Sequence, residues 1–216
     1  GHHQSLRRDS VLHQYLREVR SIDVQGDPLR FRRNLERIGW LMAYEISQRM
    51  HYADGQVTTP LGSAPVRLVD ERVVVATILR AGLPFHQGFL DCFDRAENAF
   101  VSAYRKYEDE RTFDIHIEYI ASPRLDGKTL LLVDPMLATG GSMELAYRAL
   151  LTKGEPAHVH VATVIASRQA VDYIASALPA DRTTLWAAAI DPHLNAHSYI
   201  VPGLGDAGDL AYGEKE

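Results

Sequence analysis

Asp134-Pro-Met-Leu-Ala-Thr-Gly-Gly-Ser142 gathers a carboxylate, two hydroxyls and two glycines in one short stretch. It lies between an apolar run, Leu130 to Val133, and an Ala/Leu/Glu/Arg-rich segment, Met143 to Leu151. The first reads as a strand buried on both faces and the second as a helix, so the stretch is a strand-to-helix turn. The leading N–H groups of a helix lack internal partners, and its dipole places partial positive charge there, which suits an anion. Gly140 and Gly141 permit positive φ and close approach of a ligand to the backbone, and Thr139 and Ser142 can add hydroxyl hydrogen bonds to phosphate oxygens. Asp134 would stand at the carboxyl end of the strand, the ligand edge of an open α/β sheet. A carboxylate there repels phosphate, so accepting hydrogen bonds from sugar hydroxyls is the more consistent role. The turn is neither a Walker A loop, since no Lys precedes Ser142, nor a Gly-x-Gly-x-x-Gly dinucleotide turn. A plain Gly-Gly turn with Ser142 as helix N-cap stays open on the loop alone.

Three further segments could serve such a site. Arg80-Ala-Gly-Leu83 follows the β-branched run Val73 to Leu79, and Arg105 ends the short strand Ala99 to Tyr104. Each places a guanidinium at the end of a strand, where it can meet a polyanion or serve only as a structural ion-pair partner. The third segment is Tyr199 to Asp209, whose glycines, proline and aspartates suggest a structured loop without a helix or central strand. The 216-residue chain has a formal net charge of −5 and scattered arginines, which excludes a global attraction to nucleic acid. A small polyanion must therefore be met locally. Cys92 is the single cysteine, so no internal disulfide framework exists, and no Cys/His spacing resembles a zinc site. No apolar run approaches about 18 residues, and the start has no hydrophobic signal core. A cytoplasmic protein is the expectation, and Gly1 reads as an expression scar.

The elements needed to hold these residues can be read in order. Residues 1–26 form an N-terminal arm carrying an amphipathic helix after Asp9-Ser10, with Val11, Leu12, Tyr15, Leu16 and Val19 at helical spacing. Asp27-Pro28 opens a long helix to about Met50. Gln56 to Leu68 reads as a hairpin or irregular connection, and Pro84 opens the helix after Arg80-Ala-Gly. The charged, then alternating stretch 106–123, with Phe113, Ile115, Ile117 and Tyr119, reads as a mobile β-hairpin lid. Strands at Ala157 to Ile165 and Thr183 to Ile190 flank a helix from Gln169 to Ala177. Strands alternating with helices imply a single α/β domain over 1–216, with a mainly parallel, doubly wound sheet and right-handed crossovers.

In this order, Ile78-Leu-Arg-Ala-Gly-Leu83, Asp134 to Ser142 and Tyr199-Ile-Val-Pro-Gly-Leu-Gly-Asp-Ala-Gly-Asp209 resemble the uracil phosphoribosyltransferases, a branch of the type I phosphoribosyltransferases. The resemblance extends from about Asp23 and includes Leu41-Met-Ala-Tyr-Glu45 and Ala188-Ala-Ile-Asp191. It implies the reaction of uracil with 5-phosphoribosyl-1-diphosphate (PRPP) to give UMP and diphosphate, in pyrimidine salvage. It also implies a hairpin lid, a base-binding tail over 195–216, and a homodimer or higher homo-oligomer. Carried over by position, it implies catalytic roles for Arg80, Arg105, Asp134 and Asp206. The two arginines would bind the diphosphate end of PRPP and Asp134 the ribose hydroxyls. Pro135, Met136 and Leu137 belong to the PRPP loop, and Ala138, Thr139, Gly140, Gly141 and Ser142 would cradle the 5′-phosphate. Ile200, Gly205 and Ala207 would hold uracil largely through backbone groups, with Asp206 facing PRPP and its metal. Magnesium would accompany PRPP. Because Pro135 stands where many relatives have a second acid, it would be held through PRPP and water more than by protein carboxylates. An alternative on the same fold is a UMP- or RNA-binding pyrimidine regulatory protein, which the −5 charge disfavours. The sequence departs from the family at Leu210, where an Arg is usual, at Pro84-Phe-His-Gln87, and in a longer hairpin after Arg105.

Overall fold

Local signals set the helical layer. Asp27 accepts a hydrogen bond from the Arg30 N–H at 3.2 Å and Pro28 fills the first helical position, so helix α2 runs Pro28–Ser47, close to the expected span. Before it, α1, Leu12–Arg20, packs Leu12, Leu16 and Val19 into the same core as α2. The computed structural model describes the backbone of residues 2–5, 8–107 and 113–216, and side chains over 8–103 and 116–216.

The strands are β1, His2–Ser5; β2, Tyr52–Thr59; β3, Gly62–Val69; β4, Val73–Ile78; β5, Glu97–Tyr107; β6, Phe113–Ala121; β7, Thr129–Val133; β8, Met136–Leu137; β9, His158–Ser167; β10, Thr183–Asp191; β11, His193–Leu194; and β12, Ile200–Val201. The remaining helices are α3, Gly82–Cys92; α4, Gly141–Leu150; α5, Arg168–Ala177; and α6, Ala207–Tyr212. The central sheet has the order β1-β10-β9-β7-β4-β5-β6, with β8 on β9. Its pairs are parallel except β5 with β6. Such a sheet is covered on both faces, and β7 shows why its sequence is continuously apolar: Leu131 and Val133 join the core under α1, α2 and α3, whereas Leu130 and Leu132 join the core under α4 and α5.

The chain leaves β4 for β5 on one side and returns in β7 on the other, so the winding reverses between β4 and β7. A crevice at the carboxyl ends of the strands beside such a reversal is where open α/β sheets bind ligands. The residues following these two strands are Leu79-Arg80 and Asp134.

Two expectations are corrected. The hairpin is not separate from the short strand before it: β5 and β6 form one antiparallel pair at the sheet edge, from Phe100 with Ala121 to Tyr107 with Phe113. Strand pairing begins earlier because β5 also pairs with β4 from Glu97. The stretch 108–112 lies outside the described residues. The tail is not without regular structure. His193↔Val201 and Leu194↔Ile200 pair, and α6 follows, started by Asp206, whose carboxylate accepts the Asp209 N–H at 2.9 Å. The glycines precede or open this short helix, and Ala207 and Ala211 are buried, so packing and a cap outweigh composition. For Gln56 to Leu68 the hairpin is the one of the two readings observed: β2 pairs with β3 as its own two-stranded sheet.

Candidate active site

The turn after β7 is pinned before it reaches the helix. Asp134 N–H donates to the Ala162 carbonyl at 3.1 Å, and the Pro135 carbonyl accepts from Val164 and Ile165 N–H, both at 3.1 Å. Pro135 and Leu137 are buried, and Met136 and Leu137 pair with β9, so these three residues anchor the loop through side chains and backbone turned into the fold. Ser167 secures the far side: its hydroxyl donates to the Ala138 carbonyl and accepts from the Ala170 N–H at 2.9 Å, capping α5. Sequence reasoning passed over Ser167, which stands just beyond the predicted strand and reads as an ordinary helix cap.

Gly140 caps α4 at φ 88°, and a Cβ on it would lie 2.7 Å from Tyr173 Cδ1. Both the left-handed conformation and the contact require glycine. No side chain caps α4, and the Gly141 N–H has only a 3.3 Å bond from the loop, to Thr139 Oγ1. The helix therefore opens with leading N–H groups that no capping side chain takes up, and Thr139 and Ser142 are exposed beside them.

Asp134 lies at the floor of the adjoining cleft, half-buried. Burial pushes its carboxyl up to about 7, offset only in part by a long 3.5 Å hydrogen bond from the Met136 N–H. It therefore carries a proton part of the time near neutrality and gains from any hydroxyl donor or cation that enters.

The cleft, about 470 Å³, joins the three motif segments: Arg80 and its neighbours after β4, Asp134 and Ser142, and Asp206, Gly208 and Asp209 of the tail, with Lys215 behind them. Arg80 donates through Nη2 to Asp209 Oδ1 at 3.0 Å and through Nη1 to the Gly213 carbonyl at 3.0 Å. The ion pair that the sequence left open is thus formed. Asp206 faces the cleft while capping α6. Ile200 and Ala207 are buried, which leaves their backbone groups as the parts able to address a base, and Gly205 has φ 96°. Arg105 is paired through the backbone with Ile115 in the sheet, and its side chain lies outside the described residues. Asp209 and Lys215 were missed as cleft residues; Lys215 follows the motif, where spacing carries no signal.

The tail is held to this place from below. Asp191 accepts from Arg20 Nη2 and from the Gly203 N–H, each at 2.8 Å, and Gln25 Nε2 donates to the Leu204 carbonyl at 3.0 Å. Arg32 Nη1 donates to the Ala211 carbonyl at 2.7 Å.

The family model described as uracil phosphoribosyltransferase matches residues 8–214. The chain belongs to this family. A curated uracil phosphoribosyltransferase from Porphyromonas gingivalis is 65% identical over 206 residues, covering 95% of each chain. One from Methanothermobacter thermautotrophicus is 41% identical over 189 residues, covering 87% of this chain and 85% of its own. Among solved structures, the AQ2163 protein from Aquifex aeolicus superimposes with a TM-score of 0.85 at 30% identity, covering 98% of each chain. The orotate phosphoribosyltransferase of Mycobacterium tuberculosis, solved with PRPP, matches at TM-score 0.53 and 20% identity over 88% of this chain and 96% of its own, a likeness of fold. The fold is that of the type I phosphoribosyltransferases. Among the described residues no helix is long and apolar enough to cross a membrane.

Proposed function

We propose that the chain transfers the phosphoribosyl group of PRPP to N1 of uracil, giving UMP and diphosphate in pyrimidine salvage. The observation that carries this reading is the convergence of Arg80, Asp134, Ser142 and Asp206, from three distant segments, on one cleft in a chain of this family. The 5′-phosphate lies at the start of α4, where unpaired N–H groups and the helix dipole receive it. The ribose hydroxyls donate to Asp134. Diphosphate leaves C1 with the bonding electron pair, uracil N1 takes its place and gives up its proton, and charge grows on the leaving group. Arg80 is a fixed cation where that charge develops, and Arg105 on β5 would supply a second. Alignment of N1 behind C1 supplies the rest of the rate.

Magnesium suits this arrangement as an ion carried by the substrate. Asp134 and Asp206 offer hard oxygen donors at the cleft, but among the described residues no group of three or more His, Cys, Asp or Glu is placed to hold a metal. An ion kept on phosphate oxygens and water, with these carboxylates near, is the usual habit of magnesium. When bound, it would neutralise diphosphate charge.

Base choice follows from donor order. Uracil presents two carbonyl acceptors flanking an N3–H donor, which a backbone sequence of N–H, C=O and N–H accepts. Cytosine leaves buried groups unpaired, at a cost of about 1–3 kcal/mol for each.

The same reading extends to a homodimer or higher homo-oligomer in the cytoplasm. It is supported by the β2–β3 hairpin, whose cross-strand pairs Ala53↔Leu68, Gly55↔Val66 and Val57↔Ala64 make one face apolar, with Val57 and Leu68 exposed. An isolated two-stranded sheet is marginal in water and gains from a partner. Light scattering on the purified chain measures the assembly. The test of function is a panel of free bases with PRPP and magnesium, scored by diphosphate release. Uracil is expected to react, and a silent uracil beside another reactive base would overturn the assignment.

A further inference from the structure

Arg80, the expected partner of the diphosphate, is engaged within the chain, and both of its acceptors, Asp209 and Gly213, belong to the tail. A guanidinium carries five N–H donors in a fixed plane. With Nη1 and Nη2 each bonded once, the plane is set from two points and three donors remain for a ligand. The tail side of this bond is itself fixed. The Asp209 N–H donates to Asp206 Oδ1, and Gly208 lies so near that a Cβ on it would be 3.4 Å from Arg80 Nη2. Magnitude argues against a purely structural reason for the pair. Its side chains are 32% and 37% exposed, and ion pairs of that exposure stabilise a fold by about 0–1 kcal/mol. What the pair does provide is orientation, because a planar donor held at two corners cannot rotate.

We propose that Asp209 is a positioning residue for the transfer reaction: with the Gly213 carbonyl it sets the plane of the Arg80 guanidinium, so that the remaining donors face the diphosphate. The inference rests on the reading of the cleft as a PRPP site. It makes the base-binding tail and PRPP mutually dependent, since a tail that undocks releases Arg80 and, by linkage, PRPP that fixes Arg80 favours the docked tail.

The test compares Asp209→Ala, Asp209→Asn, Arg80→Ala and the double variant, with PRPP affinity in magnesium followed by titration calorimetry beside uracil kinetics and thermal melting. Asp209→Ala is expected to weaken PRPP binding about tenfold, as befits loss of a charge-assisted contact, and to leave the uracil KM within about twofold. Its Tm should stay within about 2 °C of the native chain, as a surface ion pair implies. Asp209→Asn keeps an oxygen acceptor and should recover most of the affinity. In the Arg80→Ala background, Asp209→Ala should add no further loss, because the two act as one unit. Tighter PRPP binding in Asp209→Ala would overturn the inference by making Asp209 a competitor for Arg80. A further loss in the double variant would also overturn it, as would a fall in Tm with unchanged PRPP affinity. Failure of the native chain to bind PRPP would instead defeat the reading of the cleft itself.

Discussion

The two edges of the central sheet each carry a hollow, and the larger one is at the wrong end for chemistry. At the amino ends of the strands a hollow of about 650 Å³ is lined by Glu71, Thr129, His158, His160, Thr184 and Trp186, among others. The cleft at the carboxyl ends measures about 470 Å³. Several polar groups at the amino end bond one another, although Arg182 Nε and Thr183 Oγ1 at the start of β10 are buried without a partner. His158 Nε2 meets Thr184 Oγ1 at 2.9 Å, Thr129 donates to Glu71, and Trp186 Nε1–H donates to His160 Nδ1 at 3.1 Å. Because an indole N–H can only donate, His160 must accept at Nδ1 and carry its proton on Nε2. Burial keeps the ring neutral and pushes its pKa down to about 4. At the carboxyl end, by contrast, a helix starts without a side-chain cap and Asp134 has only a long hydrogen bond. The comparison teaches that charged groups converging beside an uncapped helix start, more than volume, mark the site.

The largest expected effect breaks the carboxyl edge alone. Arg80→Ala should lower kcat/KM for PRPP by about 30- to 1000-fold, equivalent to about 2–4 kcal/mol of transition-state stabilisation. Lysine should restore only part of it, lacking the planar fork. Steady-state rates over a PRPP series check this, and unimpaired turnover in Arg80→Ala would remove the residue from the site.

Asp134→Asn should cost about 10- to 100-fold in kcat/KM, the worth of a hydrogen bond to a charged group, yet stabilise the empty chain. The sign follows from the raised pKa. Below about 4 the carboxyl is protonated whether folded or unfolded. As pH climbs from there to about 7 the unfolded chain releases the proton first, so stability falls, and above 7 the full penalty applies. Melting at pH 8 should therefore favour the Asn variant by about 1–2 kcal/mol, reduced from the full shift because the cleft admits water. The advantage should vanish near pH 4. A variant less stable than the native chain at pH 8 would show that Asp134 braces the fold.

At the other edge, His160→Gln should change the rate at pH 8 by less than about twofold, as expected of a residue remote from the reacting groups. Its mark is on acid stability. A histidine with a lowered folded pKa contributes fully above about 6.5 and loses that contribution as pH falls toward 4. The native chain should weaken over this window more steeply than the variant, whose amide oxygen can still accept from Trp186. Parallel melting curves from pH 7 to 4.5 would count against that account.

The smallest change is expected at residues 106–123, proposed as a lid over PRPP. Hydrogen exchange in β6 should slow when PRPP and magnesium are added. Protection that is already high and unmoved by ligand in an active enzyme would make this edge pair a fixed contact.

Much of this contrast was legible in residue order. The run Leu130 to Val133 showed a doubly buried strand, and Gly140-Gly141 showed where backbone must bend, because both follow from local sterics and period. The tail was less legible, since its short helix depends on Asp206 as cap and on Arg32, Gln25 and Asp191 reaching it from far along the chain. The Arg80–Asp209 bond spans a sequence separation of 129 and has no local signature. The amino-edge network was invisible for the same reason: His158 and His160 alternate as any strand residues do, and only pairing with β10 brings Thr184 and Trp186 beside them.

The placement of α1 and α2 on the sheet has a consequence for how the molecule is made. These helices are made before β9 and β10, yet the surface they cover includes Ala162, Val164, Ile165 and Trp186 from those two strands. Until those strands emerge, Leu16, Phe31, Leu35, Ile38 and Met42 can pack only on α3 and on the β4 and β7 part of the sheet. A nascent chain paused after β7 would leave part of the apolar face of both helices in water, and its safe arrival depends on fast completion or on a holdase that shields them meanwhile.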